Sequence, residues 1–329
     1  MTPLTSNGLR ITFRQHLRNA VTLAAYCAAG CFFLFYSVVS LAEINPGTPT
    51  TLASGNSQFW AITLDNSHVY WTDVGNRLIF KAPKNGGDTT TLASTQPNMS
   101  LAIAVYGNYV YWEEHLSSTG GEGGAIRMVH IDGGVVTTIA SDQRWGVGNG
   151  IRGLAVDSSG VYWTVAGSNG DGMVLKISGV PVDNPDLLSQ TAPTLLATGL
   201  MSPIGLSLDG DNVYWIESDC CGTRGAVKKI NKYGGMAVAI ASGLGETDGI
   251  ATDGVNVFFG IWNENVHKVS VNGGPVSNLG GYTSSQFLAI DSTSVYYTSL
   301  WGDQIGKVNK NGTGQTTLAT GLVNPWGLA

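Results

Sequence analysis

Two acids and a histidine stand side by side at Glu113, Glu114 and His115. A carboxylate beside an imidazole is the minimum for acid–base chemistry. No Ser-His-Asp order, His-Glu-x-x-His pair or phosphate-binding glycine loop accompanies it, so the sequence names no catalytic residue. A second group, Glu217, Asp219, Cys220, Cys221 and Arg224, joins charge to an adjacent cysteine pair. Trp262 with Glu264, Trp301 with Asp303, and Arg144 with Trp145 complete the set. Tryptophan and arginine are the usual anchors of binding surfaces. These residues therefore point to recognition of a ligand rather than to turnover.

Cys220 and Cys221 have three possible fates: a vicinal disulfide, a pair of thiols, or crosslinks between chains. Exposed thiols do not persist in an oxidising compartment. A vicinal bridge that stiffens the loop over 217–225 is the expectation.

The compartment is read from the N-terminus. Arg10, Arg14 and Arg18 precede an uncharged apolar run over 20–42, and Ser40-Leu41-Ala42 offers small residues for cleavage. Residues 1–42 read as a signal peptide or an N-terminal membrane anchor. Either places residues 43–329 outside the cytoplasm, in a secreted, periplasmic or cell-surface protein. The formal charge is −6 and no Lys/Arg-rich run occurs, which argues against nucleic acid as a partner. Membrane contact is expected only through the N-terminal segment. With 45 glycines and 12% charged residues, the composition suits an all-β chain with many tight turns.

One unit recurs along the whole of that chain. Val69-Tyr70-Trp71, Val110-Tyr111-Trp112, Val161-Tyr162-Trp163 and Val213-Tyr214-Trp215 are followed by Val257-Phe258-Phe259 and Val295-Tyr296-Tyr297. Four residues before each Val stands Asp65, Tyr106, Asp157, Asp209, Asp253 or Asp291. Each copy reads as four strands. A glycine-rich apolar strand ends in the Asp, which opens a turn by bonding nearby amides. Val-Tyr-Trp is the second strand, and a third ends in turns such as Asn85-Gly86-Gly87 and Asn272-Gly273-Gly274. A Thr-Thr-Leu-Ala-Ser type segment forms the fourth. Four antiparallel strands in each unit of about 45 residues is the pattern of a β-propeller. Six complete copies predict a six-bladed ring, with the strand over 50–54 helping to close it beside the last blade. A truncated seven-bladed ring is the alternative.

Tyr70-Trp71-Thr72-Asp73 resembles the repeat signature of the YWTD propellers of low-density-lipoprotein-receptor ectodomains. Across 50–329 the first-strand Asp, the Val-Tyr-Trp strand and the Gly-Gly turn resemble that wider superfamily, including NHL-type and gluconolactonase-like propellers. Function in such rings sits at one mouth of the central channel. Aligning the copies on the first-strand Asp puts Trp60, Leu101, Arg152, Ile204, Asp248 and Gln286 at one mouth position. In gluconolactonase-like propellers that position supplies metal ligands, and Thr247-Asp248-Gly249-Ile250 resembles such a site. Arg152 and Ile204 stand where further oxygens would be needed, so no metal and no cofactor is expected. The resulting expectation is an exported, non-enzymatic propeller that binds a protein, peptide or glycan. Its contact residues would be Trp60, Glu113, His115, Arg144, Trp145, Arg152, Glu217, Asp248, Trp262 and Trp301. The alternative is a lactonase-like hydrolase or lyase with a metal site in the channel.

Overall fold

A computed structural model describes residues 21–22, 37–41, 50–55, 58–94, 102–115, 124–143, 150–167, 170–179, 192–218, 224–281, 285–299, 302–322 and 325–329. Six antiparallel sheets follow one another over 59–94, 103–143, 151–200, 203–244, 247–280 and 285–320. Each has four strands hydrogen-bonded in chain order. In the first blade these are Phe59–Leu64, His68–Asp73, Leu78–Pro83 and Thr90–Ser94. The six-bladed propeller expected from the repeat is the fold observed, and the described residues contain no helix.

The Val-Tyr-Trp strand explains why the blades stack. Side chains alternate across a strand, so Tyr and Trp face opposite neighbours. Tyr70 packs in one cluster with Trp112 of the next blade, Tyr111 with Trp163, Tyr162 with Trp215, and Tyr214 with Phe259. All of these rings are essentially inaccessible to solvent. Each buries about 150–250 Å², so the inter-blade layers form the core of the molecule.

The recurring Asp fixes the turn between first and second strands. Asp65 accepts the amides of Ser67 and His68 and the hydroxyl of Tyr70 at 2.6 Å. Asp209 and Asp291 do the same with Tyr214 and Tyr296. Burial pushes these carboxyls up, but the donors outweigh it and hold them below the usual carboxylate range. Where the tyrosine contact is absent, a lysine from the next blade takes its place. Lys232 pairs with Asp157, and Lys310 reaches Asp253 at 2.9 Å. A second set of lysines, Lys81, Lys176 and Lys268, donates to the carbonyls of Ile131, Lys232 and Lys310 in the following blade.

The ring closes differently from the expectation. Thr50–Gly55 pairs with Ser37–Leu41 in a separate three-stranded sheet. It is not hydrogen-bonded to the sixth blade, but its Leu52 and Ala53 pack on the Trp71 face of the first blade, the face turned toward the sixth. Residues 325–329 also lie in the gap between the sixth and first blades. Leu328 joins the Tyr296 cluster of the sixth blade, and Ala329 joins the Trp71 cluster of the first. Two adjacent residues thus face two blades, as Tyr and Trp do elsewhere.

Candidate ligand-binding site at one mouth of the ring

First strands of neighbouring blades lie against one another around the axis. A Cβ on Gly153 would sit 2.7 Å from the Gly205 carbonyl carbon, so that approach needs glycine. Every described first strand with a mouth residue carries a register shift at that residue. The shifts fall between Phe59 and Ile62, Ile151 and Gly153, Ile204 and Leu206, Asp248 and Ile250, and Ser285 and Leu288. A bulge bends the strand and re-aims the side chain it carries. At Asp248 the bulge uses Gly249, whose φ is +53°. Gly249→Ala places a Cβ in the left-handed region, at roughly 1–2 kcal/mol. The melting temperature is expected to fall by several degrees, and Gly249→Asn by less, in a thermal denaturation series.

At the mouth, Asp248 is partly exposed and Arg152 is exposed. Burial pushes the Asp248 carboxyl up to about 7, the neighbouring Glu246 charge adds to this, and Arg152 works against it. Burial also raises Glu246. None of the three side chains has a hydrogen bond or ion pair among the described residues. The connection is held by the Trp262 amide, which donates to the Glu246 carbonyl at 2.7 Å. The Trp262 side chain is half-buried at this same end. Across the seam, Trp60 meets Trp326 edge-on at 5.4 Å, and Trp326 meets Phe287 at 5.2 Å.

Other residues expected to face a ligand are used for structure. Glu113 lies in the second strand Tyr109–His115 rather than in a loop, and is buried. Its neighbour Glu114, also buried, pairs with Arg127, which donates onward to Thr138. Glu217 is buried in Asn212–Glu217, where it holds Lys228 at 2.8 Å. Arg127 and Lys228 stand opposite Trp112 and Trp215 in register, so the two ion pairs are copies of one device. A carboxylate at the end of a Val-Tyr-Trp strand and a cation opposite its Trp was a pairing signal available in the sequence. His115 ends its strand opposite Gly124. Arg144, Trp145, Cys220, Cys221 and Trp301 lie outside the described residues, as does Leu101; Gln286 is described only as part of Ser285–Ile290.

The two ends of the ring are built from different residues. Hairpin turns between third and fourth strands use glycine at positive φ, as at Gly86, Gly133, Gly234, Gly273 and Gly312. At the Asp248 end the non-glycine left-handed positions in the described turns after the second strands are Arg77, Asn263 and Asp303, with Ser202 in a connection between blades. Such positions disfavour ordinary side chains and cluster at functional sites. Arg77, Arg152 and Arg224 are all exposed at this end, while lysines serve the inter-blade contacts at the other.

No family model and no curated protein matches the sequence. Solved structures do match. A chain of a nidogen/laminin complex aligns at 18% identity with a TM-score of 0.55, covering 77% of this chain and 90% of that one. Virginiamycin B lyase from Staphylococcus aureus aligns at 12% identity and a TM-score of 0.61, covering 89% and 92%. A candidate 6-phosphogluconolactonase from Bacteroides fragilis aligns at 14% identity and 0.64, covering 94% and 97%. At these identities the likeness establishes the β-propeller fold, which serves both binding and catalysis among these neighbours.

Proposed function

We propose that the chain is an exported propeller of the YWTD/NHL type that binds a protein, peptide or glycan at the Asp248 end of the ring. The observation that carries this is a division of labour among its charges. Asp65, Asp157, Asp209, Asp253, Asp291, Glu114 and Glu217 are tied to lysine, arginine, tyrosine or turn amides, whereas no hydrogen bond or ion pair among the described residues holds the side chains of Asp248, Glu246 and Arg152. Unpaired charges in a desolvated site are unfavourable for folding, and a ligand that pairs them accounts for their presence. The YWTD reading draws support from Thr72, whose hydroxyl accepts the Ala61 amide at the first-strand bulge, and from Asp73, which caps the next turn through Asn76. The nidogen/laminin neighbour supports a protein ligand, and the Arg10–Arg14–Arg18 leader supports export.

The test is a peptide-display and glycan-array screen with the labelled domain. A Trp60→Ala/Arg152→Ala variant is expected to lose the bound set by about two orders of magnitude, as paired anchor residues do. A Tyr233→Ala/Met236→Ala variant changes exposed residues of the opposite end and is expected to retain it. Loss confined to the second variant would move the site to the wrong mouth and overturn the reading.

One observation favours the enzymatic alternative: an acid that titrates near neutrality is what general acid–base catalysis needs. The donor set does not fit a divalent cation, however. Asp248 has the Arg152 guanidinium acting on it, and no group of three His, Cys, Asp or Glu converges among the described residues. A thermal-shift scan with calcium, magnesium, zinc and chelator separates the readings, because a cation bound only by the native state raises its stability by linkage. An Asp248-dependent shift would favour the enzyme.

A further inference from the structure

The third strand of every blade passes over one apolar residue of the fourth. In the first blade Ile79 stands opposite Ala93 and Phe80 opposite Thr91, so Leu92 is left out of the pairing. The same shift leaves out Ile139, Leu196, Ile240, Leu279 and Leu318 in the other five. The small sheet at the closure repeats it. Val39 stands opposite Ala53 and Ser40 opposite Thr51, which leaves out Leu52. Leu52 packs in the Trp71 cluster of the blade that follows, as Leu92 packs with Trp112. Ser37–Leu41 and Thr50–Gly55 are thus paired as the third and fourth strands of a blade, and Val21–Thr22 lies on the second-strand side.

The C-terminal residues supply a first strand to match. A Cβ on Gly327 would stand 3.3 Å from Ile62 Cγ2 of the first blade, and one on Gly205 would stand 3.0 Å from Ile250 Cγ2 of the fifth. Trp326 precedes Gly327 as Ile204 precedes Gly205, so it takes a mouth position beside Trp60. Ser37–Leu41, however, falls inside the apolar run over 20–42. A membrane-spanning segment is a helix or part of a closed barrel, and cleavage after Ala42 would remove the segment altogether. Neither fate is compatible with a strand hydrogen-bonded to Thr50–Gly55.

We propose that Thr50–Gly55 is a strand-acceptor edge whose occupant in the folded protein is Ser37–Leu41 of the same chain, so that any cleaved leader ends before Ser37. The edge selects its occupant by register, because a strand fits only where the bulge at Leu52 is kept. The occupant fastens the N-terminal part of the chain into the joint between the sixth and first blades. Its role is independent of ligand binding at the Asp248 mouth.

The experiment expresses the full chain in a secreting host and examines the exported form by intact mass and amide exchange. The N-terminus is expected at or before Ser37, and the amides of Thr50–Gly55 are expected to be protected as those of Thr90–Ser94 are. Val38→Pro/Val39→Pro takes two donors out of the ladder and is expected to lower the melting temperature by about 5 °C. A mature chain that starts at Glu43 overturns the proposal. It does so even if an added Ser-Val-Val-Ser-Leu peptide binds, because the occupant would then come from elsewhere. Freely exchanging Thr50–Gly55 amides, or a proline variant that melts with wild type, would also overturn it. If the proline variant is not recovered folded, the mass and exchange of the wild-type chain decide.

Discussion

Replacing Lys232 by Met is expected to destabilise the domain by about 3 kcal/mol, the lower end for breaking a buried ion pair. The Lys232 side chain is 2% exposed, pairs with Asp157 of the preceding blade and donates to the carbonyls of Asp209 and Gly210. Methionine fills the space but leaves Asp157 and two carbonyls short of a donor. The equivalent Lys310→Met should matter less, about 1 kcal/mol, because Lys310 and Asp253 are 17% and 22% exposed. Urea denaturation of both variants and of Asp157→Asn in a double-mutant cycle measures the coupling. Burial pushes Asp157 up, but Lys232 and Ser159 outweigh it and hold the carboxyl below its usual range. Its contribution is therefore present above the unfolded carboxylate pKa and is lost as pH falls through the lower folded value. Lys232→Met should blunt that acid-side loss of stability. A variant as stable as wild type would show that the staple contributes nothing net.

Asp248→Asn is expected to change stability in the opposite direction. Its folded pKa, about 7, lies well above the usual aspartate value of 3.8, so the native state holds the proton more tightly. Stability is then fully present below the unfolded pKa and falls as pH rises from about 4 to about 7. Asparagine removes that loss. After discounting for its partial exposure, the variant should gain about 2 kcal/mol at pH 8 and little at pH 4. That corresponds to several degrees in melting temperature. Melting curves across this pH range decide the matter: equal slopes for wild type and variant would mean that Asp248 titrates normally and the mouth is well hydrated. A stabilising loss of a charged residue is the pattern of a site kept for function at the expense of the fold.

The architecture was readable because its determinants are local. Alternation within Val-Tyr-Trp dictates which ring faces which neighbour, and the Asp four residues earlier sets the turn beside it. The mouth position of Asp248 and Arg152 followed from the same alignment. What sequence spacing does not show is which charges already have partners. Glu113, Glu114 and Glu217 look like loop acids when read by position, and only the strand register, with Arg127 opposite Trp112 and Lys228 opposite Trp215, shows Glu114 and Glu217 buried in ion pairs. The inter-blade lysines were invisible for a related reason. Lys232 meets Asp157 across 75 positions of chain, a separation at which no local pattern signals contact. The ring's closure also escaped, because five residues contain half of a packing rule and none of its turn.

Those five residues give the molecule a preferred place to come apart. A closed circle of equivalent blades has no weakest joint, but here, among the described residues, the sixth and first blades meet through Trp326, Leu328 and Ala329 with Leu52 and Ala53 rather than through a full pair of strands. Opening should start there and spread blade by blade in both directions, like a zip with one slider. Amide exchange should accordingly be fastest in the strands Phe59–Leu64 and Ser285–Ile290 among the first strands, and slowest across the ring in the third and fourth blades.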